Sequence, residues 1–496
     1  MIPSYWYWKW GHLLGYPWLA TFEPKFGWRR AIIETAALPI ILSSTHPIDS
    51  HTVITGIQLK EDKEEIVREL ECQSMIWGIA TELVIQAGEG KKKVKIPAVY
   101  KHFKRLFREE ASNWFPPKWP WDHTIDLKPE TPDKIPCKVY PMMQAEDKAL
   151  EEFIKEQYAK GYIRPSKLPY ASPFFFIKKQ DGKLWPVQDY RQLNHYTIKN
   201  QYLLPLIADL TSSFSGVHIF TKLDIQWGYN NVQIKEGDEH KAAFKMKYGL
   251  WEPMVMFFGL CNSPATFQAM MDWIFRPIKE KWAAKGTKVE KYMDNVAITT
   301  CTNEADHIAC VTEILELAEW YGLYFKLEKC VFHAPQIDYL GIIIEKGMTC
   351  MDLVKVEGIW NWPRPTKVKD VHSFLGFCNF YRPFIRGFAQ IARPLNKLTK
   401  KDVKWNWTLR QEEAFIKLKE HFTNEPVLAH PELDKQFKVE VDTSGFTLGA
   451  VLLQKKTDGK KHPIAYYSST LNTVEHNYDI YELEYLVIHS VMTPSP

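Results

Sequence analysis

What the sequence lacks narrows it first. Its 8 cysteines include no C-x-x-C pair. A zinc ribbon or a dense disulfide framework is therefore not expected, and reduced thiols in an intracellular compartment are the simplest reading. No stretch supplies the roughly 18 uncharged apolar residues that suggest a membrane span. The opening MIPSYWYWKWGHLLGYPWLA is too aromatic and too charged for a signal peptide. Neither sign of charge is in real excess, since 63 Lys and Arg against 59 Asp and Glu leave +4. Any affinity for nucleic acid must come from where the charges lie. With 45% hydrophobic residues over 496 positions the chain is not a disordered one. About three domains are expected at roughly 150 residues each.

What is present changes texture along the chain. Residues 1–57 are rich in Trp, Pro and Ile, and EDKEEIVRELECQ reads as a helix with acids toward its start. The proline-rich stretch from Phe115 to Pro141 is expected to be an extended arm or linker, because proline lacks an amide donor and restricts its predecessor. EDKALEEFIKEQYAKG then places Leu150, Phe153, Ile154 and Tyr158 on one helical stripe, with Gly161 suited to the C-terminal cap. SPFFFIKK, the turn QDGK and LWPVQDYRQLN make a hairpin signature. A long helical pattern runs from about Val368 to Lys397, and the residues after about Gln436 are strand-rich.

Two places could carry chemistry. Asp224 ends the alternating run of Ile219, Thr221 and Leu223, so it stands at the rim of a mostly buried strand. KYMDNVAITT holds a tight turn at Met293–Asp294 between two short apolar arms. Either alone is as well read as a capping aspartate or a plain hairpin. Read together, they would suit two-metal nucleotidyl transfer, in which carboxylates hold two magnesium ions about 3.5–4 Å apart. The backbone oxygen of Ile225 would add a further hard ligand.

The stretch from about Lys138 to Gly341 resembles the reverse transcriptases of gypsy-type long-terminal-repeat retrotransposons. YASPFFFIKKQDGKLWPVQDYRQLN is similar to the fingers, FTKLDIQWGYNNV to the first catalytic motif, FFGLCNSPATFQ to the second and YMDN to the third. KLEKCVFHAPQIDYLGIII is similar to the approach to the primer grip. The resemblance implies an α+β right-hand polymerase of fingers, palm and thumb, followed by a partial RNase H-like α/β domain. Asp224, Asp294 and Asn295 would be the catalytic positions, with Asp224, Ile225 and Asp294 on the metal. Tyr229 would be the steric gate against a ribose 2′-hydroxyl. Lys178 or Lys179 and Arg191 would address the triphosphate or the fingers scaffold, with Asp189 an internal partner for a basic residue. Phe258, Gly259 and Gln268 would line the nucleotide, although Phe258 is equally read as core packing. Two Mg2+ ions, or Mn2+ in their place, would be the cofactors. An RNA or DNA template–primer and deoxynucleoside triphosphates would be the partners, and no membrane is implied. Lys178, Lys179, Lys183, Arg191, Lys222 and Lys291 flank the motifs, and Arg382, Arg386, Arg393, Lys397, Lys400 and Lys401 follow in the helical zone. As a group they would suit a duplex-binding groove.

Departures from the family pattern qualify this. The third motif ends in Asn295 instead of aspartate, so one charge is lost. That is about 4 kcal/mol for a unit pair at ~4 Å and an effective dielectric of ~20. Half of it would slow turnover roughly thirtyfold. Weak polymerisation is expected, and the alternative is a decayed retroelement fragment that at most binds nucleic acid passively. Trp185 stands where the fingers pattern carries arginine, which keeps a flat face without the charge. Gln226 replaces an arginine, with minor effect expected. HLLGYPWLATFEPKFGWRRAIIETAALPIIL is similar to the closing part of a retropepsin-like protease. KVEVDTSGFTLGAVLLQ, with Asp442, and NYDIYELEYLVIHS, with Glu484, are similar to the opening of a ribonuclease H fold. Neither protease nor RNA-cleaving activity is expected, and the unfinished sheet edge would be open to aggregation. The expected organisation is a protease remnant over 1–57, a connector over 58–135, fingers and palm over 136–345, thumb or connection helices over 346–430, and a truncated RNase H-like domain over 431–496.

Overall fold

A computed structural model describes residues 94–492, apart from 136, 138–141, 168, 169, 179–183, 402, 425, 426, 433 and 445. Before residue 94 it describes only the strands Lys25–Gly27, Ile32–Glu34 and Ile40–Ser43. The rest of the expected protease remnant and the charged helix after it lie outside the described residues. The chain divides into two compact units, one of residues 91–206 and 217–337, the other of 1–90, 207–216 and 338–496.

In the first unit, acids in the opening turn and the stripe Leu150, Phe153 and Ile154 make helix α1, Gln144–Ala159, which Gly161 closes at φ +74°. Tyr158, expected on the same stripe, is exposed and meets Trp251 edge-on instead. Strands β1 (Ile163–Pro165), β2 (Ser172–Lys178) and β3 (Leu184–Gln188) follow, and β2 and β3 form the expected hairpin with Phe174 opposite Gln188. Next come β4 (Ile219–Asp224), β5 (Phe244–Met246) and β6 (Gly249–Pro253), and the first sheet runs β1-β6-β5-β2-β3.

The second sheet is built on β4. Helix α2, Ser263–Ala283, starts with proline in its first turn, where a missing amide costs nothing. Strands β7 (Thr287–Tyr292) and β8 (Asn295–Thr300), helix α3 (Glu304–Tyr321) and strand β9 (Val331–Ala334) complete it. The strand order is β7-β8-β4-β9, every pair antiparallel. The Asn303 side chain caps α3 at its start, and Gly322, at φ +66°, ends it. Leu223, Val289, Val296 and Ile298 from the strands share a core with Phe267, Met271 and Phe275 of α2 and with Val311 and Ile314 of α3.

The connector expected before residue 136 is, from residue 98 onward, part of this core. The 3-10 helix Ala98–Phe107 buries Tyr100, Phe103, Leu106 and Phe107 in it, at the near-threefold spacing such a helix requires. The Tyr100 hydroxyl bonds His333 Nε2 at 2.7 Å, and the Trp114 ring lies against Gly322. Within the proline-rich stretch, the Gln233 amide donates to the carbonyl of Pro116 at 2.6 Å and the amide of His123 to that of Gln233. The prolines remove strand bonds, as expected, yet the arm is packed.

In the other unit, β10 (Ile342–Glu345), β11 (Met348–Met351) and β12 (Val427–Ala429) pair antiparallel. Between β11 and β12 run α4 (Leu353–Trp360), α5 (Val368–Phe380), α6 (Phe388–Leu398) and α7 (Leu409–Asn424). Phe374 of α5 meets Phe415 of α7 with ring centroids 4.6 Å apart. Strands β13 (Phe437–Ser444), β14 (Thr447–Lys455) and β15 (Lys461–Thr470) form an antiparallel meander, followed by α8 (Ile480–Met492). One side of this meander is paired, since Ile40–Ser43 runs parallel to β13 with Ile41 opposite Lys438, while β15 ends the sheet on the other. No helix among the described residues is long and apolar enough to cross a membrane.

Candidate functional site

Antiparallel register brings the two acidic positions together. β8 pairs with β4 so that Asn295 lies opposite Asp224, and the backbone amide of Ile225 donates to the carbonyl of Asp294 at 2.8 Å. Asp224 and the 293–294 turn therefore share one end of the sheet. The turn between β7 and β8 is two residues long, with Met293 at φ +54°. A non-glycine residue in that region needs outside support. It comes from Gln268 of α2, fully buried, whose side-chain oxygen accepts the Met293 amide at 2.9 Å while its nitrogen faces Asp272 and the Lys291 carbonyl. Sequence reading had set Gln268 beside the nucleotide; its bonds are to the turn.

Asp224 is buried and Asp294 half-buried. Burial raises the Asp224 carboxyl above its usual range, opposed by the Lys329 ammonium and assisted by the Asp294 charge. Burial likewise raises Asp294, opposed by its own backbone amide and by Lys329. Each carboxylate already has a donor. Lys329 Nζ stands 3.3 Å from Asp224 Oδ2, and the Asn295 side-chain amide donates to Asp294 Oδ1 at 3.1 Å. The sequence pattern does not single out Lys329 within KLEKCVF, because its partner Asp224 lies 105 residues away.

Tyr229 follows Asp224 through a short 3-10 turn, Gly228–Asn231. Its ring meets Phe258 at 4.9 Å and Phe267 at 5.7 Å, and burial pushes its hydroxyl well above the usual range. Phe258 is 54% exposed, so it is not a core residue. Trp185 of β3 reaches the far side of Phe258 with centroids 6.4 Å apart. Gly259 sits at φ +103°, where its carbonyl accepts from the Asn194 amide at 2.8 Å.

Other candidates fall elsewhere. Arg191 is spent on Asp189, with Nε and Nη2 bonds of 2.8 and 2.6 Å, so Asp189 has the basic partner expected for it. Lys178 ends β2 and Lys179 lies outside the described residues. Lys291, expected in a groove, is buried and paired with Asp272 at 2.9 Å, because its place on the strand turns it inward. Arg382 donates to the Ser468 carbonyl. Asp442 is exposed on β13 and Glu484 is buried on α8.

A metal would find hard oxygen donors at Asp224 and Asp294, which suits magnesium or manganese. Among the described residues no cluster of three or more His, Cys, Asp or Glu forms a metal group. Asn295, opposite Asp224, brings an amide and not a carboxylate to this end of the sheet.

Residues 177–344 match the sequence family described as "Reverse transcriptase (RNA-dependent DNA polymerase)", and 407–493 match "RNase H-like domain found in reverse transcriptase". The chain is 35% identical over 400 residues to the Transposon Tf2-7 and Tf2-3 polyproteins of Schizosaccharomyces pombe (strain 972). That covers 80% of this chain but only 29% of each polyprotein. The fold is similar to the foamy viral protease-reverse transcriptase dRH in complex with double-stranded DNA, with TM-score 0.69, 17% identity, and 93% and 79% of the two chains covered. The foamy viral protease-reverse transcriptase in complex with an RNA/DNA hybrid gives TM-score 0.66 at 16% identity, covering 93% and 61%.

Proposed function

The chain carries a reverse transcriptase domain and an RNase H-like domain, as long-terminal-repeat retrotransposon polyproteins do, and we propose that it performs RNA-directed DNA polymerisation for an element of the gypsy type. Its substrates are deoxynucleoside triphosphates and a primed RNA or DNA template. The observation that carries this reading is the register setting Asn295 opposite Asp224, with Asp294 next to it. Asp224 and Asp294 would hold the divalent ions, with the carbonyl of Ile225 as a further oxygen. Bound there, such ions would supply charge to lower the pKa of the primer hydroxyl and to neutralise the leaving pyrophosphate. Gln268 fixes the turn that presents Asp294, and Tyr229 limits the space at the sugar.

Turnover is slow by this reading, because Asn295 supplies an amide where a third negative charge would assist. The test is primer extension on an RNA template by the chain and by its Asn295→Asp variant, with magnesium. Weak extension that rises roughly thirtyfold or more in the variant supports the reading. No extension by either, with template still bound, supports the passive binder instead.

A further inference from the structure

Every oxygen-rich end of a sheet that is to take up cations must first be free of internal ones, and this one is not. Lys329 closes the 3-10 helix Leu327–Lys329 that follows α3 and brings its ammonium 3.3 Å from Asp224 Oδ2, while its field also reaches Asp294. Lys329 itself is about half exposed, whereas the Asp224 side chain is 7% exposed. The lysine can therefore swing into solvent without unpacking anything, but the carboxylate cannot move to follow it. Asp224 is held at its backbone too, since its carbonyl accepts the Lys326 amide at 2.9 Å. On the other carboxylate, Asn295 donates an N–H to Asp294 Oδ1.

We propose that Lys329 is a positioning residue whose ammonium, 3.3 Å from Asp224 Oδ2, competes with a divalent ion for that carboxylate and must be displaced for the ion to bind. An ammonium and a metal ion at the same carboxylate oxygen compete, so the lysine lowers metal affinity. Asn295 compounds this by weakening the field that would draw the ion in. The proposal rests on the reading that Asp224 and Asp294 hold divalent metal.

The experiment is Mn2+ titration of the full chain without nucleic acid, followed by electron paramagnetic resonance of the free ion. Four chains are compared, namely the parent, Lys329→Met, Asn295→Asp, and Lys326→Met as a control whose ammonium pairs with Glu328 at 3.1 Å. Lys329→Met should bind Mn2+ about three- to fivefold more tightly, the range that a partly exposed ion pair supports, and Lys326→Met should match the parent. The gain should vanish when Asp224→Asn is added, which a general change in surface charge would not produce. Binding by Lys329→Met that equals or falls below the parent's overturns the proposal. If Asn295→Asp binds Mn2+ while Lys329→Met gains nothing, the carboxylate site stands and the lysine's role falls. If none of the chains binds Mn2+, both fall.

Discussion

The side chain of Gln268, buried in α2, accepts the backbone amide of Met293, 25 residues later, at 2.9 Å. It ties a left-handed turn to a rigid helix, and that turn aims Asp294. Gln268→Leu would keep the volume and remove the acceptor. Leaving one buried amide unpaired costs about 1–3 kcal/mol. Primer extension should fall by roughly tenfold to a hundredfold through misplacement of Asp294. Thermal melting beside extension rates separates the two effects, and unchanged rates would contradict the positioning role.

Tyr229 lies between Phe258 and Phe267, so its ring is fixed by contacts on two sides. Tyr229→Val should leave those neighbours in place and open space at the sugar. Discrimination against ribonucleotides should drop by about 10- to 200-fold, the range available to a lost steric contact. Competing incorporation of a ribo- and a deoxynucleotide measures it.

Gly322→Ala tests the packing of the arm. A Cβ there would run into the Trp114 ring, and φ is +66°. The left-handed conformation costs roughly 1–2 kcal/mol and the overpacking about 1–3 more. At roughly 2–4 °C per kcal/mol for a unit of this size, melting should fall by about 5–15 °C.

Acid should loosen the first unit through two buried histidines. Burial lowers His123 to about 4 and His307 to about 3. His307 is fully enclosed, bonded to the hydroxyls of Thr221 and Thr300, both at 2.8 Å. Both are neutral when folded, so their stability is complete above the unfolded value near 6.5. It is lost as pH falls from there toward 4 and 3, at about 1.4 kcal/mol per pH unit for each histidine. The raised carboxyls of Asp224 and Asp294 act with the opposite sign, since burial of their charge is relieved as pH falls. A His307→Asn variant isolates the histidine contribution, and its melting temperature should depend less on pH between 7 and 4.

Much of the site could be read from the residues. Alternation before Asp224 and the short arms around Met293–Asp294 are local signals, and register did the rest. The arm could not be read the same way, because prolines mask a packed segment. Its real signal was the spacing of Tyr100, Phe103, Leu106 and Phe107, which puts four apolar residues on one helical face just before the prolines. Lysine spacing misled for a different reason. Charge in a sequence does not reveal which way a strand faces, and Lys291 faces inward. Gln268 and Lys329 act through partners 25 and 105 residues away, so no local pattern assigns their bonds.

The bond between Tyr100 and His333 spans 233 residues of chain. Translation must deliver the strands and helices from Leu223 to Phe325 before the buried face of Ala98–Phe107 has its full core to rest on. Until then Phe103 and Leu106 wait uncovered on the nascent polypeptide. Closure across so long a loop slows folding, because its entropy is lost before the distant contacts form.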